Sequence, residues 1–384
     1  MAHHSTVLGE LLRLVSRHEF ERDARRHHKG RRFRSMSRWS QFAAMAVAQL
    51  SGRSSLRDVV SNLEAQKRKL YHLGVGRVAR SSLARVNRDQ PHELFKLQFE
   101  RLLDRCRGLA PGHGFRFKNP LLSLDATHID LCLALFPWAK YSKGKGAIKL
   151  HVGLDHAGNL PSFLSVTDGK GSDIDVARTL RLPPGSIVAA DRLYQNFSWL
   201  RSLDAQGVFL VTRLKRRVRY AVRERRSYAP GRGVTSDQTI ELTSKKGRKD
   251  CPIPLRRVGY RDAKTGKHYV FLTNNFELAP RTIADIYKAR WQVELFFKWI
   301  KQNLRIKSFL GTSRNAVLTQ IWIAMCVHLL LAYLKFSNRL NWTLSEILRL
   351  LQLNLFERRP LNDLLQPQRD PPCPENDQLQ LTLP

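Results

Sequence analysis

Cysteine and acid are the two things this 384-residue chain is short of. Its five cysteines (Cys106, Cys132, Cys251, Cys326, Cys373) are odd in number and scattered, with no C-x-x-C pair. That argues against a disulfide framework and against a zinc ribbon, and it fits a reducing cytosol. Acidic residues number 32 against 66 Lys and Arg, a formal net charge of +34. The excess runs through the whole chain, and such a field favours a polyanionic partner: nucleic acid, or an anionic membrane surface. The amino terminus, MAHHSTVLGELLRLVSRHEF, has no apolar core ahead of a small-residue cleavage site, so no signal peptide is expected. The one long apolar stretch, Ala316 to Leu334, is interrupted by Gln320 and His328 and flanked by bases, so it reads as a buried core helix rather than a membrane span. Hydrophobic residues at 42% exclude a disordered chain, and the length allows two or three domains.

Residues 1–107 read as a helical, strongly basic DNA-binding domain. Ser37 starts the helical run RWSQFAAMAVAQL, which Gly52 closes, and Ser55 with Asp58 makes a capping box for LRDVVSNLEAQ. Helix, glycine turn and short basic helix (HLGVGRVAR, then SSLARVNRD) give the outline of a helix-turn-helix reader, an outline that any small helical bundle shares. Residues 108–120, rich in Gly and Pro, read as a linker. From 121 to 212 the pattern turns to strands, LLSLDATHIDLCLAL, GAIKLHVGLD and LPSFLSVTDG, with a tight turn at His156–Asn159 between the last two. Helix, strand (SIVAAD), helix and strand (VFLVTRL) follow, so a mixed α/β (α+β) sheet covered by helices is expected.

Residues 213–279 break that alternation as a basic, β-rich insertion. Arg213, Lys215, Arg216, Arg217, Arg219, Arg223, Arg225, Arg226 and Arg232 crowd it, with Tyr220 and Tyr228 among them. A solvated basic loop would look the same, but the set suits a surface laid along a phosphate backbone. Residues 280–310 carry a helix that completes the core, 311–366 more helices, and 367–384 a loose tail.

The helix expected over YKARWQVELFFKWIK, Tyr287 to Lys301, holds one acid. Wound at 100° per residue, it places Tyr287, Arg290, Lys298 and Lys301 within about 40° of Glu294, and apolar side chains around most of the remaining circumference. Such a helix should be buried on most sides, with a narrow charged stripe. A buried ion-pair stripe is the ordinary explanation of that pattern. Asp125, inside the first strand, and Asp191, ending the fourth, supply the other reading: two aspartates on sheet strands and a glutamate from a helix form an all-oxygen cluster suited to Mg²⁺ or Mn²⁺. Two such ions about 4 Å apart can drive in-line phosphodiester displacement, with Arg290, Lys298 and Lys301 holding the strand. Asp130, Asp155, Asp168, Asp173 and Asp175 read as turn or cap residues, and His128 as a strand side chain.

The order Asp125, Asp191, Glu294, with the glutamate in Tyr287-x₂-Arg290-x₃-Glu294-x₆-Lys301, resembles the YREK signature of bacterial DDE transposases of insertion-sequence family four. SLDATHID, GAIKLHVGLDHAGNLP, SVTDGKGSDIDVA, IVAADRLYQNF and FLGTSRNAV extend the resemblance over roughly 121–333. It implies an RNase H-like core with a β insertion ahead of the catalytic helix. It also implies a homodimer acting on double-stranded DNA at paired terminal inverted repeats and at the target, through Mg²⁺ (Mn²⁺ substituting), in the cytoplasm on the nucleoid. Asp125, Asp191 and Glu294 become the metal ligands; Tyr287, Arg290 and Lys301 hold the strand near the cleaved end. A nuclease that cuts without joining and a decayed, non-catalytic DNA-binding relative are the alternatives, while a membrane-surface protein is disfavoured. Two departures stand out. Relatives commonly have glycine where this chain has Leu193, two places after Asp191. No tryptophan lies in the insertion to stack a flipped base, which leaves Tyr260, Tyr269 or Phe271.

Overall fold

The computed structural model describes residues 5–31, 36–229 and 232–366; the tail expected at 367–384 lies outside them. The first seven helices are α1 (Val7–Arg13), α2 (Arg17–Arg26), α3 (Arg38–Leu50), α4 (Leu56–Ala65), α5 (Lys67–Leu70), α6 (Arg80–Asp89) and α7 (Glu93–Arg107). Thr6, Ser16, Ser37 and Ser55 open four of them, each side-chain oxygen accepting the backbone N–H three residues on. At Ser55 the box is one-sided, since Asp58 answers the hydroxyl of Ser54 instead. Gly52 follows α3 at φ +63°, a conformation that favours glycine.

The strands are β1 (Leu121–Leu131), β2 (Lys140–Ser142), β3 (Lys145–Asp155) and β4 (Leu160–Asp168). Helix α8 (Asp173–Arg178), β5 (Ile187–Ala190), α9 (Phe197–Asp204) and β6 (Phe209–Arg213) come next. β1, β3 and β4 form an antiparallel meander, while β5 and β6 lie parallel to β1 and to each other. The spatial order β4-β3-β1-β5-β6 is that of an RNase H-like core. Strand β5 shows how the sheet sorts its faces: Val188 and Ala190 point to the cluster under α8 and α9, Ile187 and Ala189 to the opposite one.

The insertion does not stand apart from this sheet. β7 (Tyr220–Arg225), β8 (Val234–Leu242), α10 (Lys245–Asp250), β9 (Leu255–Arg261) and β10 (His268–Thr273) continue it, β10 pairing antiparallel with β6 and β7 forming the far edge. Three residues here, β2, and six each for β7 and α10, are too short for periodicity to register.

The stretch expected as one helix is two: α11 (Pro280–Ala289) and α12 (Trp291–Asn303), meeting at Arg290. The expectation of burial on most sides is also corrected. α12 rests on β1 and β3 through Val293, Phe296, Phe297 and Ile300, whereas Trp291 is 55% and Leu295 44% exposed. The sheet and the helices behind α12 cover only part of a cylinder, so its outward face stays wet whatever its composition. After it come α13 (Arg314–Ser337), α14 (Leu344–Asn354) and α15 (Leu361–Leu365).

α13 is long and apolar enough to cross a membrane by composition, but it runs buried among α3, α6, α7 and α14. Its Gln320 is satisfied there, donating to the Ser308 carbonyl at 2.9 Å and accepting from Leu310 N at 2.9 Å. All 13 residues of α3 are buried, and its alanines let neighbouring backbones approach closely.

Candidate active site

Register places the two aspartates side by side. β1 runs parallel to β5 with Leu124 opposite Ala190, so Asp125, within β1, lies beside Asp191, the residue that follows β5. α12 brings Glu294 over them from the sheet face. The guanidinium of Arg290 joins two of the three, Nη1 donating to Asp125 Oδ2 at 3.1 Å and Nη2 to Glu294 Oε1 at 2.8 Å. The phenol of Tyr287 donates to Asp191 Oδ1 at 3.3 Å. The break between α11 and α12 makes this fork possible. Arg290 N is shared between the carbonyls of Ile286 and Tyr287, and Val293 N takes the Arg290 carbonyl three residues back, a tightened turn at the fork itself.

Burial pushes the Asp125 carboxyl up to about 6, with the charges of Glu294 and Asp191 adding to it and Arg290 and the Ala126 N–H opposing. Burial works against the Arg290 charge too, but its hydrogen bond to Glu294 and the charge of Asp125 hold it above its ordinary value. Tyr287 is raised, mainly by burial. Two carboxylates therefore share one guanidinium with the third held by Tyr287, and the all-oxygen set fits a hard divalent cation. They are not gathered into a ligand shell: among the described residues no three His, Cys, Asp or Glu side chains stand close enough to hold a metal ion. Arg290 stands between two of them.

Lys301 points elsewhere. Its ammonium donates to Thr127 Oγ1 at 2.6 Å and to the His128 carbonyl at 2.8 Å, tying α12 to β1 two residues beyond Asp125. Lys298 is exposed. Among the other candidate DNA contacts, Arg216 and Arg217 are exposed, Lys215 Nζ donates to the Gln195 carbonyl at 3.1 Å, and the Arg213 guanidinium lies 5.0 Å from the centre of the Tyr269 ring. Asp155 accepts from Ala157 N in its turn, and His128 is a strand side chain against Tyr141. Asp173 is more than a cap: it pairs with Lys149 at 2.7 Å and faces His151 at 3.3 Å, behind β1. Leu193 sits in a short 3₁₀ turn, Arg192–Tyr194, 66% exposed. Positive φ outside glycine occurs among the described residues only at Asn159, Arg232 and Arg339, so leucine costs this turn no strain.

Beside Arg290 lies a cavity of about 290 Å³ whose lining includes Tyr260, Tyr269, Phe271, Tyr287 and Trp291. The Tyr269 and Phe271 rings stack at an interplanar angle of 7°, and Phe271 meets Tyr287 at 5.0 Å. All three aromatics singled out from the insertion line it. Trp291, which helical periodicity places among the apolar side chains of a buried face, is turned to the cavity by its place just after Arg290, where the helix breaks.

Residues 116–330 match the family described as Transposase DDE domain, and residues 3–76 match a domain of unknown function. A putative transposase (y4zB) of Sinorhizobium fredii is 38% identical over 256 residues, 65% of this chain and 69% of that protein. A probable transposase for insertion sequence element IS5377 of Geobacillus stearothermophilus is 28% identical over 263 residues, 68% of each. Among solved structures, a piggyBac transposase synaptic complex with hairpin DNA covers 96% of this chain and 80% of that one, at a TM-score of 0.44 and 10% identity.

Proposed function

The chain belongs to the DDE-domain transposases of insertion sequences, and from that premise we propose that it performs cut-and-paste transposition, cleaving the element's ends and joining its 3′ ends to target DNA with Asp125, Asp191 and Glu294 as metal ligands. The carrying observation is the Arg290 fork between Asp125 and Glu294, with Tyr287 on Asp191: residues from three distant segments meet at one point. Mg²⁺, or Mn²⁺ in its place, would supply Lewis acidity at the attacking and leaving oxygens. The protein's own part is positioning. β1 and β5 aim two carboxylates, Tyr287 orients Asp191, Lys301 holds α12 at its distance from β1, and Arg290 offers a planar two-pronged donor that suits a phosphate as well as a carboxylate.

The exposed cations Arg216, Arg217, Arg219 and Arg225, with Arg80 and Arg85 on α6, support a reading in which double-stranded DNA at the terminal inverted repeats lies across the β insertion and the amino-terminal helices. The working form is a homodimer on paired ends, in the bacterial cytoplasm at the nucleoid. Glu294→Gln should lower Mg²⁺-dependent cleavage of a duplex carrying the terminal repeats by about three orders of magnitude while retaining gel-shift binding. Cleavage at wild-type rate would remove Glu294 from the site. Joining of pre-cleaved ends to a target plasmid distinguishes a transposase from a nuclease that only cuts.

The aromatic cavity is sized and lined to take an unstacked base next to the scissile phosphate, with Trp291 at its rim. Trp291→Ala should slow end processing roughly tenfold, the equivalent of one lost stacking contact. Should each single abasic substitution near the terminus leave the slowing intact, the cavity takes no base.

A further inference from the structure

Arg256 is the largest fully buried side chain of the described residues, 2% exposed in a protein whose surface is crowded with arginine. It forms a two-pronged pair with Asp237, at 2.8 and 2.7 Å, and its Nη1 also donates to the carbonyls of Asn275 at 3.1 Å and Leu278 at 2.6 Å. Arg226, just past the end of β7, reaches the same place from the other side. Its backbone N donates to the Asp237 carbonyl, its Nη2 to the Phe276 carbonyl at 3.0 Å, and its guanidinium lies 5.4 Å from the Phe276 ring centre. Its Nε is buried without a hydrogen-bond partner, 3.8 Å from Asp237 Oδ2. One buried carboxylate thus answers two guanidiniums, and both grip a single loop, 274–279. Asn275 stiffens that loop further, accepting from Glu277 N and Leu278 N. The loop's next residue is Pro280, the first of α11, which carries Tyr287 and runs into Arg290.

We propose that Arg226 is a positioning residue that couples the basic edge strand to the active site: phosphate engaged on β7 is transmitted through Arg226 and Asp237 to the 274–279 loop, and so to the seating of α11. The inference rests on the reading of β7 as a DNA surface. Arg223 and Arg225 on that strand, and Arg219 just before it, are exposed. Arg226 follows them directly, one of its donors is unsatisfied, and it holds the loop by a carbonyl rather than by apolar packing alone. A displacement of β7 therefore pulls on the loop through a directional bond. Arg256, fixed by its pair with Asp237, holds the loop by two carbonyl bonds that do not involve β7, so loss of Arg226 loosens the loop without releasing it.

The test uses the full-length chain, with a short duplex of arbitrary sequence for exchange and binding and a duplex carrying the terminal repeats for cleavage. Amide hydrogen exchange is followed over 280–290 with and without DNA, and end cleavage is followed for kcat and KM. In Arg226→Met, exchange at 280–290 in the free protein should rise, DNA-induced protection there should fall, and kcat should drop about tenfold with little change in KM, as expected when a remote change misplaces catalytic groups. Arg226→Lys, which keeps a donor for the Phe276 carbonyl, should recover part of each. Unchanged exchange in free Arg226→Met overturns the clamp. Raised exchange in the free protein with undiminished DNA-induced protection overturns the coupling. Failure of the DNA reading itself is seen separately, as undiminished duplex binding by an Arg219→Glu, Arg225→Glu double variant.

Discussion

Asp125→Asn should abolish end cleavage, by about three orders of magnitude or more, and at the same time make the metal-free protein more stable at neutral pH. The second effect follows from the direction of the shift. Burial raises the Asp125 carboxyl from 3.8 to about 6, so the folded protein holds a proton there that the unfolded chain has already released. Wild-type stability falls as pH rises through that window and stays lower above it. Asparagine keeps an oxygen for Arg290 and carries no charge, so the variant escapes the loss. The expected gain is about 2 kcal/mol at pH above 7, shrinking to nothing near pH 4. Thermal unfolding in chelator across that range measures it. A variant no more stable than wild type at neutral pH would mean that Arg290 already neutralises Asp125 in full.

Arg290→Met is expected to do the opposite to stability and the same to activity. Arg290 is itself buried, its side chain 10% exposed, and it is the cation shared by Asp125 and Glu294. Without it two carboxylates face one another in a desolvated site, and breaking such a pair from one side costs about 3 kcal/mol. The loss should lessen on acidification through pH 6, as Asp125 takes up a proton. Mg²⁺ should raise the melting temperature of the variant more than that of wild type, because it meets carboxylates that no guanidinium holds. Arg290→Lys should recover part of the stability and little of the cleavage, since a point charge cannot span both carboxylates as a planar fork does. Equal Mg²⁺ shifts in wild type and Arg290→Met would show that the guanidinium does not occupy the place where the cation acts.

Both predictions depend on neighbours that are far apart in the chain, and that is where legibility in the sequence ends. Local rules carried the caps at Ser37 and Ser55, the turn at Gly158 and Asn159, and the buried character of α13, because each depends on a few adjacent residues or on composition. The three carboxylates could be singled out by element and by resemblance, yet the register that sets Asp125 beside Asp191 is a pairing of β1 with β5 that no local pattern encodes. The break at Arg290 left no mark either. No Gly or Pro stands there, and the apolar period runs through it undisturbed; the turn tightens around a side chain drawn between two acids. Arg256 shows the same limit in reverse. In a span where most arginines are exposed, the buried one is set apart by its two-pronged pair with Asp237 on the adjacent strand.

The central position of α13 sets an order of assembly. The apolar faces of α3, α6 and α7 close on a helix that begins only at Arg314. These helices therefore wait for a partner more than 200 residues further along the chain, a separation that slows folding and leaves nascent helices exposed. Glu294, too, is translated after every strand of the sheet. A chain still being translated can thus display the basic sheet before Glu294 has been added.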